Sequence, residues 1–191
     1  MNPTLLAIVA VIQPGLWLLW RLAENDLGAD PVATLTHQTG QWGLRFLLLS
    51  LAATPLRKLS GWNWPVRIRR ILGLAAFGYA LLHFSTFLVF DHFFDWNAIL
   101  KDILKRPYIT IGFITWIMMI PLAITSSQYM MKRMGGSRWK ALHKLNYLIG
   151  ITGVFHYFWS VKRDITLPTL YAILLALLFG LRLTGRRPLR R

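Results

Sequence analysis

Apolar runs with few or no charges alternate with short basic or mixed-charge segments along the whole chain. The runs occupy residues 1–20, 46–56, 71–90, 107–131, 145–161 and 165–181, and the second extends back through Arg45 to about Gln38. Each approaches the ~20 residues that a helix rising ~1.5 Å per residue needs to cross ~30 Å of hydrocarbon. The pattern therefore predicts six transmembrane helices, at about 3–22, 38–56, 71–90, 108–127, 144–161 and 165–182. Connections are short, and no internal repeat or low-complexity tract breaks the alternation. The expected architecture is an all-α polytopic membrane protein, a six-helix bundle forming a single transmembrane domain over residues 1–191. The first run lacks a basic leader and a small-x-small cleavage site, so it reads as a retained helix and not a signal peptide.

Composition supports the membrane as solvent. The 191 residues are 55% hydrophobic and 15% charged, against about 25% charged in soluble proteins. Lys and Arg number 22 and Asp and Glu 7, a net charge of +15. A nucleic-acid binder would spread such charge over a polar surface; here the cations punctuate uncharged runs, which argues for lipid and against nucleic acid. Their distribution also gives orientation, because Lys and Arg are retained on the cytoplasmic side. Arg57, Lys58, Arg67, Arg69 and Arg70 follow span two; Lys132, Arg133, Arg138, Lys140 and Lys144 follow span four; Arg182, Arg186, Arg187, Arg190 and Arg191 end the chain. The other seven cations (Arg21, Arg45, Lys101, Lys105, Arg106, Lys162 and Arg163) and all seven acids belong to the opposite face, which is neutral. Both termini are expected in the cytoplasm. The absence of cysteine excludes disulfides, iron–sulfur clusters, thiol catalysis and covalently attached haem.

Two histidines fall deep within these spans. His83 lies 12 residues beyond Ile71 on the outward-running third span, about 18 Å into the membrane. On the fifth span His143 opens the helix and His156 follows 13 residues later, about 20 Å further out. His83 and His156 thus share a depth on helices that start from one face, and two imidazoles so placed can grip an iron atom from opposite sides, as a bis-His b-type haem requires. Small residues accompany both: Ala80, Ala76 and Gly73 on the stripe of His83, Gly153 and Gly150 on that of His156. They leave room for a porphyrin, or merely let helices pack closely. His143 suits a second haem nearer the cytoplasm, or belongs to an interfacial basic loop anchored by Trp139; no intramembrane histidine on the third span is there to partner it. His37 and His92 are expected at the outer surface. Of the nine Trp, only Trp116 is expected to be buried; the others fall near span ends, as an interfacial belt would place them. Packing is the default role for the methionines.

The run Arg69-Arg70-Ile71-Leu72-Gly73-Leu74 through Tyr79-Ala80-Leu81-Leu82-His83 carries a resemblance, continued by Asp102-Ile103-Leu104-Lys105-Arg106-Pro107-Tyr108-Ile109-Thr110, Pro121-Leu122-Ala123-Ile124-Thr125-Ser126, Trp139-Lys140-Ala141-Leu142-His143-Lys144-Leu145-Asn146-Tyr147 and His156-Tyr157. Together, from about Pro31 to Lys162, these resemble the haem-binding subunit family of the periplasmic protein-methionine-sulfoxide reductase system and, more distantly, the ferric reductase and NADPH oxidase transmembrane domain. The resemblance implies a multi-pass cytochrome of the bacterial inner membrane. Such a protein takes electrons from the quinone pool or a cytosolic flavin reductase and passes them to a periplasmic molybdenum-containing subunit that reduces methionine sulfoxide. It is an electron-transfer subunit and not the catalytic one. Carried over by position, the ligands of haem b, one or two per chain, are His83, His143 and His156, and FMN binding is attributed to the family. Arg67, Arg69, Arg70, Arg138 and Lys140 are placed at the inner face, where guanidinium forks can clamp FMN phosphate or haem propionate, or where the cations only fix orientation. The chain departs from the oxidases in lacking a second histidine on the third span and a G-x-G-x-x-G dinucleotide fingerprint, so reducing equivalents come from another molecule. Two other readings remain: a proton-linked transporter using His83 and His156, which the lack of acids inside the spans disfavours, and a haem-free assembly scaffold.

Overall fold

The computed structural model describes residues 2–184, so Arg186, Arg187, Arg190 and Arg191 lie outside the described residues. The chain is helical, with no strand among the described residues. The long elements are α1 (Pro3–Ala23), α2 (Pro31–Ser60) and α3 (Trp64–Thr86), the last continued by a π-helical turn over Phe87–Asp91. Short helices fill the connections: α4 (Trp96–Lys105) precedes α5 (Pro107–Ile124), and α6 (Gln128–Met134) and α7 (Gly136–Leu142) precede α8 (Leu145–Ser160), after which α9 (Thr166–Thr184) closes the bundle.

Local chemistry sets the boundaries. Proline occupies the first turn of α1, α2, α3 and α5, where its missing N–H is not needed. Asn2, Asp30, Asp95 and Ser127 accept first-turn N–H groups as caps. The Asp30–Pro31 pair starts α2 seven residues before the expected span begins at 38, and a left-handed Gly61 (φ 75°) ends it.

The core sits around α2. Leu44, Phe46, Leu47, Leu48 and Leu51 pack with Leu72, Ala76 and Tyr79 of α3, Ile149 and Val154 of α8 and Tyr171 and Leu175 of α9. At Gly43 a Cβ would lie 3.4 Å from the Ala80 backbone N and 3.5 Å from the Ala76 carbonyl, so this glycine lets α2 and α3 approach. The polar side chains of α2 turn to neighbouring helices: Thr36 bonds Thr86 (2.8 Å), Gln41 bonds Tyr157 (3.2 Å) and Arg45 bonds Tyr171 (2.9 Å).

The outward faces are apolar. Leu5, Val9, Ile12, Leu16 and Leu19 of α1 and Leu170, Ile173 and Leu177 of α9 are exposed, which only a hydrocarbon solvent rewards. Four helical stretches are long and apolar enough to cross a membrane: Pro3–Ala23, Trp64–Asp91, Pro107–Ile124 and Thr166–Leu183. The chain is a membrane protein. α8 has 16 residues and α2 carries the polar groups just described, which sets both apart from those four.

Three expectations need correction. Trp42, expected near a span end, is stacked on Phe46 within the bundle (ring centroids 5.5 Å), because α2 starts earlier. Arg45, assigned to the outer surface, stands midway along α2. Gly150 serves helix packing and not a porphyrin, since a Cβ there would meet Leu51 at 3.1 Å and Leu175 at 3.2 Å.

Candidate functional site

α3 and α8 bring His83 and His156 together, with ring centroids 6.1 Å apart and planes at 71°. The two are held alike. His83 Nδ1 lies 2.8 Å from the Thr36 carbonyl of α2, and His156 Nδ1 lies 2.7 Å from the Tyr108 carbonyl of α5. A carbonyl only accepts, so each Nδ1 carries the proton and each Nε2 keeps a free lone pair, the tautomer that binds a metal. Four residues after each carbonyl stands a glycine. A Cβ on Gly40 would fall 3.0 Å from His83 Nδ1, and one on Gly112 would fall 2.7 Å from His156 Nδ1 and Cε1. One turn of α2 and one turn of α5 thus seat one imidazole each, the carbonyl fixing the ring and the glycine making space for it.

Between these seats is a cavity of about 780 Å³ lined by α2, α3, α5 and α8, within the ~300–1,000 Å³ range of cofactor sites. Ala76, Ala80 and Gly153 of the small-residue stripes border it. Trp116 also lines it, packed 4.6 Å from Phe84, and its buried indole N–H has no partner. Two metal–imidazole bonds of about 2 Å, plus about 1 Å from each nitrogen to its ring centre, put centroids roughly 6 Å apart. The observed 6.1 Å fits one ion held between the rings, and planes that share the metal axis are free to be twisted. With two nitrogen donors and a mostly apolar surround, the residues fit an iron tetrapyrrole better than a structural metal, which takes four protein ligands.

The mouth of this cavity is charged. His92 Nε2 lies 3.3 Å from Asp102, Arg106 Nε lies 3.5 Å from the same carboxylate, and Arg106 also donates to the Tyr108 hydroxyl at 3.4 Å. His92 packs on the Phe87 ring at 4.5 Å with its side chain only 13% exposed, more enclosed than a surface histidine. His37 is exposed beside it on the same rim.

A second cavity of about 590 Å³ lies at the other end of the bundle, and Leu47 and Met119 border both. His143 lines it, stacked on Trp139 at 4.0 Å, with Nε2 3.0 Å from the Thr125 hydroxyl. Burial, then the charge of Arg69, hold the His143 pKa below the usual histidine range, while hydrogen bonding to Thr125 works the other way. Arg69, Arg70, Lys140, Lys144 and Arg182 line the same cavity. Arg138 and Arg67 are exposed and outside its lining.

The structure thus brings His83 and His156 together, gives His143, Arg69 and Arg70 a separate cavity, and leaves Arg138 apart. Sequence reasoning assigned no role to Gly40, Gly112, Thr36 or Tyr108, although Tyr108 lies within one of the runs that carry the resemblance. Their only trace is a glycine four residues after an unremarkable position, one of two glycines in α2 and the single glycine of α5.

The family described as ferric reductase like transmembrane component matches residues 39–154, a stretch containing His83 and His143 and ending two residues before His156. The protein-methionine-sulfoxide reductase heme-binding subunit MsrQ of Herminiimonas arsenicoxydans is 50% identical over 181 residues, covering 94% of this chain and 83% of the relative. Its counterpart in Rhodospirillum rubrum is 48% identical over 175 residues (92% and 84%), and that of Xanthomonas euvesicatoria is 48% identical over 186 residues (97% and 85%). No solved structure matches.

Proposed function

Because the chain belongs to the ferric reductase like transmembrane family and, within it, to the heme-binding subunits of protein-methionine-sulfoxide reductase, we propose that it is a b-type cytochrome of the bacterial inner membrane. It relays electrons from the quinone pool or a cytosolic flavin reductase to a periplasmic molybdenum-containing subunit that reduces methionine sulfoxide in oxidised proteins. The observation that carries this reading is the His83–His156 pair, 6.1 Å apart across a cavity of about 780 Å³ with both Nε2 atoms free.

A haem bound there supplies a one-electron ferric/ferrous couple. His83 and His156 would hold it through Nε2; the Thr36 and Tyr108 carbonyls keep each imidazole in the ligating tautomer and raise its basicity. Trp116, Phe84 and Phe113 enclose the site and keep water from it. At the inner cavity, His143 would offer an imidazole nitrogen and Arg69 and Arg70 phosphate- or carboxylate-binding forks to a second haem or FMN. We read α2 and α8 as spanning too, since α2 is wrapped by other helices and α8 is only slightly short. The bundle then crosses the bilayer six times as one domain, with the basic connections and both termini in the cytoplasm.

The test is transfer itself. The purified chain, reduced anaerobically, should lose its ferrous absorbance within turnover time when the periplasmic partner and methionine sulfoxide are added together, and keep it when either is omitted. A colourless preparation would return the transporter or scaffold reading.

A further inference from the structure

Arg45 lies between the levels of the two cavities. Leu44 lines the outer one, Leu47 borders both, and Ser50 and Leu51 line the inner one. Its position on α2 is five residues inward of Gly40, the seat of His83, or about 7.5 Å of helix rise. No carboxylate among the described residues pairs with it. Its partners are neutral: Nε donates to the Tyr171 hydroxyl at 2.9 Å, Nη2 donates to Gln41 Oε1 at 3.0 Å, and the guanidinium carbon stands 4.6 Å from the Trp42 ring centroid. Gln41 in turn donates to the Tyr157 hydroxyl at 3.2 Å, and both Gln41 and Tyr157 line the outer cavity.

A guanidinium stays protonated in proteins. Neutral hydrogen bonds solvate its charge without cancelling it, and in a low-dielectric interior the field reaches neighbouring groups. A tie between α2, α8 and α9 alone would be made more cheaply by neutral side chains, because burying a cation carries a desolvation penalty. We infer that Arg45 is a fixed intramembrane charge that raises the reduction potential of the haem carried by His83 and His156. The inference rests on the cytochrome reading above. Reduction adds one electron, from flavin or quinol in the cell, and lowers the charge of the site by one; a cation behind the cavity wall favours that form. At the effective dielectric of a protein interior a unit charge this near shifts a one-electron equilibrium by roughly tenfold, which is ~59 mV.

The experiment is a potentiometric titration of the full chain in detergent, read from haem absorbance, with bound haem quantified in every sample. Arg45→Gln should lower the midpoint by about tenfold in the equilibrium, whereas Arg45→Lys, which keeps the charge, should stay within about twofold of wild type. Tyr171→Phe, which removes a tie but no charge, should also leave the midpoint in place. An unmoved midpoint in haem-loaded Arg45→Gln, or an equal drop in Arg45→Lys, overturns the inference. If Arg45→Gln does not load haem, Arg45→His decides: its midpoint must fall more steeply than wild type as the imidazolium deprotonates with rising pH, and a wild-type profile overturns the inference. A wild-type protein without haem overturns the cytochrome reading itself.

Discussion

The ring of His156 rests where a methyl group on residue 112 would have to go, 2.7 Å from Nδ1, while His83 has 3.0 Å from the corresponding point at Gly40. A real Cβ does not approach so closely, so Gly112→Ala must push His156 off the Tyr108 carbonyl. Alanine is otherwise the better helix former by ~1 kcal/mol, so backbone stability and ligation should move in opposite directions. Gly112→Ala is expected to keep or raise the helical melting temperature by circular dichroism and to convert the low-spin haem spectrum to high-spin or lose haem; Gly40→Ala should do the same more mildly. An unchanged low-spin spectrum in Gly112→Ala would show that the seat is not needed. The histidines themselves were legible in the sequence because depth follows from counting along a helix. Their seats were not: a carbonyl at 36 or 108 has no sequence signature, and the space that Gly40 and Gly112 leave is defined by a side chain on another helix.

The inner end of α2 shows how neighbouring elements complete one another. Pro55 has no N–H, so the Leu51 carbonyl four residues earlier loses its helical partner. Arg182, in the last turn of α9, donates to that carbonyl and to the Tyr147 hydroxyl. Removing it leaves a buried acceptor unmet, at a cost of about 1–3 kcal/mol. Arg182→Met, which keeps an apolar stem, should therefore lower the thermal midpoint in detergent, and combining it with Pro55→Ala, which restores the N–H, should recover part of the loss. Additive losses would refute this pairing. Element existence was read well from hydropathy: α1, α5, α8 and α9 fall within about three residues of the expected spans. The start of α2 is illegible in hydropathy because Thr34, Thr36 and His37 look like surface residues in one dimension, whereas in the fold Thr34 donates to the Leu27 carbonyl and Thr36 to the Thr86 hydroxyl of α3.

Over the whole molecule, exposed apolar faces account for the membrane, and the proposed sidedness rests on the placement of cations. Because the chain has no cysteine, single cysteines report orientation cleanly. In intact cells a membrane-impermeant maleimide should label Asn97→Cys on α4 and fail to label Ser137→Cys on α7 until the membrane is opened. The reverse pattern would invert the topology and the direction of electron flow. The two cavities share Leu47 and Met119, and on the proposed reading they would give that flow its route; sequence hinted at it only through the 13-residue interval between His143 and His156. What joins the three scales is the pairing of His83 with His156. Haem per chain, measured by pyridine haemochrome alongside the low-spin ferric resonance, should fall together in His83→Ala and His156→Ala and stay at the wild-type value in His92→Ala. Full haem with an intact low-spin signal in either of the first two would contradict the proposed ligation.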